Sequence, residues 1–82
     1  MARTTLRKSL RTSGHRKLIA VLTKTRKAAG LTQRDLAARL KRPHSFIGRL
    51  EAGERRLDVV EFMEMAKALD VDPAKLFAQL ID

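Results

Sequence analysis

Apolar and polar positions recur with a helical period in five successive stretches of this chain. Over residues 16–29, Leu18, Ile19, Leu22, Ala28 and Ala29 mark an amphipathic helix that stops at Gly30, where a left-handed residue costs little. In the next stretch Thr32 can cap with its hydroxyl, Asp35 three residues on completes a capping box, and Leu31 can staple against Leu36. Leu36, Ala37 and Leu40 then form a buried stripe, leaving Arg34 and Arg39 in water. A third helix follows a tight basic turn and presents Phe46, Ile47 and Leu50 on one face, with His44, Ser45, Gly48 and Arg49 on the other. Asp58 and Glu61 form a second capping box between the staple residues Leu57 and Phe62. They predict a fourth helix over residues 59–69 that buries Val59, Phe62, Met63, Ala66 and Leu69, after which Asp70 takes the turn. Asp72 as cap, Pro73 at the first helical position and a Val71–Leu76 staple open the last helix, whose apolar face is Leu76, Phe77, Leu80 and Ile81.

Five helices joined by short loops predict an all-α fold, a compact five-helix bundle. Residues 1–15 hold Arg3, Arg7, Lys8 and Arg11 among small polar residues, with only Leu6 and Leu10 as sizeable apolar groups. They read as a flexible basic arm ahead of one domain at residues 16–82; the alternative is an ordered arm that pairs with another subunit. Residues 30–53, GLTQRDLAARLKRPHSFIGRLEAG, are two short helices around a tight turn. That is a helix-turn-helix, and it makes double-stranded DNA the first partner to consider.

Charge sharpens this expectation. Residues 1–50 hold fourteen Lys and Arg against Asp35 alone, whereas residues 51–82 hold four basic residues against eight acids, so the halves carry +13 and −4 of the net +9. A polyanion would attract the first half and repel the second, orienting the molecule on it. At 82 residues the chain is one small domain, able to bury about 60% of its unfolded surface. It has no cysteine for a disulfide or thiolate site, and His15 and His44 are too far apart in sequence to suggest a metal centre. No stretch has the ~18 apolar residues of a membrane span, and the basic N-terminus leads into no signal-peptide core, so a cytoplasmic location is expected. No nucleophile and base stand at a recognisable spacing and no glycine-rich phosphate loop is present. Catalysis, a cofactor, a metal and a small-molecule ligand are therefore not expected.

The strings GLTQRDLAARL, SFIGRLEAGERRL and FMEMAKALDVDPAKLF resemble the DNA-binding domains of the phage repressor and Cro type, the XRE family, over roughly residues 17–81. The resemblance implies a lambda-repressor-like domain in which the third helix enters the major groove and two subunits bind a palindromic site. It assigns base reading to His44, Ser45 and Arg49. Arg49 is suited to donate to O6 and N7 of guanine, while a capping or phosphate role fits His44 equally well. Gln33 matches a phosphate-contact position at a helix start. Lys41, Arg42, Arg55 and Arg56 fall in the turn and in the loop that flank the DNA backbone. Arg26 and Glu51 match a buried structural ion pair. A homodimer is expected through Leu76, Phe77, Leu80 and Ile81, which are more apolar groups than one small bundle face needs.

Four positions depart from the family pattern. Lys41 stands where glycine is usual, so either a left-handed residue there costs up to ~1 kcal/mol or the turn is built differently. Pro43 replaces a hydroxyl cap; it suits a first helical position but donates nothing. Phe46 replaces a small residue and either packs beside Ile47 or faces a thymine methyl. Asp70 replaces a common glycine. The function these readings imply is a sequence-specific, dimeric transcription regulator, a repressor. An antitoxin that regulates its own operator is the nearest alternative, and a protein-interaction module that retains the fold is the alternative of another class.

Overall fold

A computed structural model describes residues 12–81. Five helices make up the fold: α1 Ser13–Ala28, α2 Gln33–Leu40, α3 His44–Glu51, α4 Val59–Ala68 and α5 Pro73–Ala78, with no strand among the described residues. The core gathers Leu22 of α1, Leu36 of α2, Ile47 and Leu50 of α3, Met65 of α4 and Leu76 of α5, all with almost no solvent exposure. α2 packs on α3 and α4, α1 packs on α3, and α5 packs on α4.

Local chemistry sets the helix boundaries. Both expected capping boxes are formed: Thr32 Oγ1 accepts from the Asp35 amide at 3.0 Å while Asp35 accepts from the Thr32 amide at 2.9 Å, and Asp58 and Glu61 repeat the exchange at 2.7 and 3.0 Å. The Asp35 carboxyl is lowered from its ordinary range, first by the Thr32 amide and then by its hydroxyl. Four helix ends share one device, in which a left-handed residue lets two successive amides return to carbonyls of the last turn. Gly30 and Gly53 take that position at φ 75° and 80°, and Lys41 and Asp70 take it at 56° and 59°. The Lys41 turn is thus of the left-handed kind, with Lys41 N–H on Ala38 O and Arg42 N–H on Ala37 O. Neither side chain has glycine's freedom, so each such turn carries a strain of roughly 1 kcal/mol.

Several expectations are corrected. α1 starts at Ser13 instead of near Arg16, because the Thr12 hydroxyl caps it by accepting from the His15 amide at 3.1 Å. Residues 13–15, expected in the arm, are therefore its first turn, and residues 1–11 lie outside the described residues. Pro43 does stand at the cap position of α3, just before the first helical residue, and no side chain among the described residues caps that helix. The expected face of α4 holds only in part: Ala66 and Leu69 are buried and Phe62 is half-buried, but Met65 goes inward while Val59 and Met63 are 75% and 55% exposed. The packing of α4 against α2 and α5 selects this face, since apolar residues surround the helix and periodicity alone cannot choose. α5 ends at Ala78, so Leu80 and Ile81 follow the helix instead of extending its face. Leu76, expected in a dimer interface, is 1% exposed and already belongs to the core.

Candidate nucleic-acid interface

Burial of Phe46, Ile47 and Leu50 turns the opposite face of α3 outward. His44, Ser45 and Arg49 are all exposed, with Gly48 between them half-buried. At helical spacing these four positions share a face, and three of them carry groups able to donate hydrogen bonds outward. Phe46, left open between two roles by the sequence, packs inward at 8% exposure.

The end of α3 is fixed by a buried ion pair. Arg26 grips Glu51 with both Nε (2.7 Å to Oε2) and Nη2 (3.0 Å to Oε1), and the two side chains are each only 9% exposed. Its remaining Nη1 donates to the Leu31 carbonyl at 2.7 Å, tying the α1–α2 turn to the same point. Gln33 joins the cluster, donating from Nε2 to Glu51 Oε1 at 2.9 Å. The first residue of α2 is thereby held to the last residue of α3. A Cβ built on Gly48 would sit 3.5 Å from Gln33 Oε1, so the small residue leaves ordinary contact distance between the two helices.

A second cluster lies near the start of α3. The guanidinium carbons of Arg42 and Arg55 stand 4.7 and 4.4 Å from the centroid of the Phe46 ring, within cation–π range. Both arginines also meet Glu61. Arg55 is bidentate, at 3.1 Å to Oε1 and 2.8 Å to Oε2, and Arg42 approaches Oε2 at 3.3 Å. Arg55 Nη1 donates further to the Arg56 carbonyl at 2.6 Å, which pins the loop between α3 and α4. The hydrogen bonds from Arg55 hold the Glu61 carboxyl down at about 2, with help from the Asp58 amide and the Arg42 charge and against the effect of burial. Glu61 in turn raises Arg55.

The sequence brought Glu61 forward only as a capping residue, and nothing in its spacing points to two arginines on one carboxylate. His15 was also passed over. It is buried, and its Nε2 has no hydrogen-bond partner among the described residues. Burial lowers its pKa first and the Arg56 charge lowers it further, against a backbone hydrogen bond with Arg55 that raises it. Lys41 and Arg56 are exposed on either side of α3. At the far end of the chain Phe77 and Ile81 are 51% and 60% exposed, and Leu80 is half-buried. No helix among the described residues is long and apolar enough to cross a membrane.

An outward polar face on the second helix of a helix-turn-helix, flanked by exposed cations, defines a DNA-binding protein of the helix-turn-helix class. A family model described as helix-turn-helix matches residues 22–76. The chain is 42% identical to an XRE-family like protein from Pseudomonas syringae pv. tomato str. DC3000, over 94% of each chain and with a TM-score of 0.81. It is 33% identical to the restriction-modification controller protein C.AhdI from Aeromonas hydrophila, over 80% of this chain and 100% of that one, with a TM-score of 0.73. It is 28% identical to the controller protein C.Esp1396I, solved as a tetramer with its natural 35 base-pair operator, over 85% of this chain and 92% of that one, with a TM-score of 0.79. No curated protein sequence matches the chain. The protein belongs to the XRE-type helix-turn-helix family of DNA-binding transcription regulators.

Proposed function

We propose that this regulator is a repressor that binds a palindromic operator as a homodimer, with α3 of each subunit in the major groove. The observation that carries the reading is the exposed face of His44, Ser45 and Arg49 on a helix whose other face is locked into the core. Arg49 reads a guanine, and His44 and Ser45 contact neighbouring base edges. Gln33, Lys41, Arg42, Arg55 and Arg56 border that face and meet the phosphates, which set register without reading sequence. The dimer contact is apolar: Phe77, Leu80 and the unexpectedly exposed Val59 line a groove together with Leu18, Leu57 and Phe62, and the exposed Ile81 follows Leu80 in the chain. A two-fold contact there is self-complementary. The operator-bound tetramer of C.Esp1396I supports both the duplex ligand and association between copies.

Selection from a random duplex pool tests the reading. A palindromic consensus is the expected result; an asymmetric one would remove the dimer, and no enrichment would remove sequence-specific binding. On the selected site Arg49→Ala should cost about 1–3 kcal/mol and much less on random DNA. Equal losses on both would make Arg49 a phosphate contact.

A further inference from the structure

The cluster around Phe46 contains a feature that a phosphate-binding edge does not need on charge grounds. Glu61 puts a carboxylate beside two of the cations expected to face DNA, where it weakens the local positive field. Its geometry offsets that loss. Arg55 uses both terminal nitrogens on Glu61 and on the Arg56 carbonyl, and its side chain is 29% exposed. Arg42 meets Glu61 most closely through Nη2, at 3.3 Å, and its side chain is 38% exposed, so its guanidinium keeps donors for an outside acceptor. Both guanidiniums rest on one aromatic ring that is itself fixed in the core. A free arginine loses rotamer freedom when it meets a phosphate, whereas one already held in place loses little.

We propose that Glu61 is a positioning residue for DNA binding: with the Phe46 ring it holds Arg55 as a strut for the α3–α4 loop and presents Arg42 to the phosphate backbone. The proposal rests on the DNA-binding reading above and deepens it. It gives Arg42 and Arg55 different roles, although the sequence offers them as equivalent cations. It also makes a prediction opposite in sign to simple electrostatics, because removing an acid near a polyanion should tighten binding unless that acid organises the contact.

The test compares Glu61→Gln with Glu64→Gln on a labelled mixed-sequence duplex of about 30 base pairs, long enough for two half-sites. Phosphate contacts are independent of sequence, so no operator is required. Each variant removes one negative charge from α4, and Glu64 is exposed on the same helix. Glutamine at position 61 can still accept from the Asp58 amide, so the start of α4 keeps its cap. Anisotropy titrations at several salt concentrations give the affinities, and circular dichroism verifies the helices. Glu64→Gln should bind as well as the parent or up to about twofold tighter. Glu61→Gln should bind about three- to tenfold more weakly at equal folded fraction. If Glu61→Gln binds as tightly as Glu64→Gln, the positioning role is overturned. If the parent protein itself fails to bind, the DNA reading falls instead. Should Glu61→Gln not fold, Phe46→Leu keeps every charge and most of the apolar volume while removing the ring. It should weaken binding about two- to fivefold through loss of the aromatic support, and unchanged affinity would overturn the proposal.

Discussion

Two carboxylates grip arginines at the two ends of α3, and the settings differ. At the end of the helix Glu51 and Arg26 are shielded from water, and all the polar nitrogens of the arginine side chain donate to protein acceptors. Near its start Glu61 is nearly as sheltered, but Arg42 and Arg55 remain open to solvent on one side. The first pair therefore joins helices and leaves Arg26 no donor for an outside group, whereas the second cluster joins helices and keeps donors for an external anion. An arginine count says nothing about this division. Exposure and the number of nitrogens already engaged decide it.

The largest effect expected from this contrast is on folding at the buried end. Arg26→Met would strand the Glu51 carboxylate without its main partner, and breaking such a pair costs about 3–5 kcal/mol. Urea unfolding should show most of the stability of so small a domain removed. A loss near 1 kcal/mol would mean that water reaches Glu51 freely, and the contrast between the two ends would disappear.

The half-open end should show a smaller effect and a distinctive pH profile. Glu61 has its carboxyl held at about 2 in the fold against an ordinary value of 4.5. Above pH 4.5 it is ionised in both states and its full contribution is present. As pH falls from there toward 2 the unfolded chain takes up a proton that the fold still refuses, and the contribution drains away. Glu61→Gln should thus lose about 1–3 kcal/mol at neutral pH and show a flatter acid limb than the parent in urea titrations. Parallel limbs in parent and variant would place the acid sensitivity on other carboxylates, Asp35 first.

The same contrast explains what could be read from the chain. Thr32 with Asp35 and Asp58 with Glu61 announce helix starts because a capping box is made within four residues of sequence. The Arg26–Glu51 match came through family resemblance, since nothing local links residues 25 positions apart. Glu61 was legible only as a cap, because one of its oxygens serves the backbone and the use of the other depends on how the α2–α3 turn and the α3–α4 loop meet. Part of the inward face of α4, at Val59, Met63 and Met65, was misread for a related reason. Val59, Val60 and Met63 are as apolar as Met65 and Leu69, and only the neighbouring helices distinguish them. Leu76 shows the reverse error, an apolar residue assigned to a partner that its own core already occupies.

The smallest expected effect concerns His15, buried in the first turn of α1 and within reach of the charge of Arg56 in the α3–α4 loop. Burial and the Arg56 charge lower its pKa below the ordinary 6.5, and the backbone hydrogen bond with Arg55 only partly opposes them. Above pH 6.5 the ring is neutral in both states and the fold is undisturbed. Below it the unfolded chain binds a proton that the fold resists, so stability declines with falling pH until the lowered folded value has been passed. The slope should be shallower than that from Glu61 and should lie at higher pH. His15→Leu keeps the site apolar and should abolish the slope just below pH 6.5 while leaving the Glu61 limb in place. If the parent and His15→Leu curves coincide through that interval, His15 is solvated when charged. The loop beside it would then hold its place through the contacts of Arg55 with Glu61, the Phe46 ring and the Arg56 carbonyl.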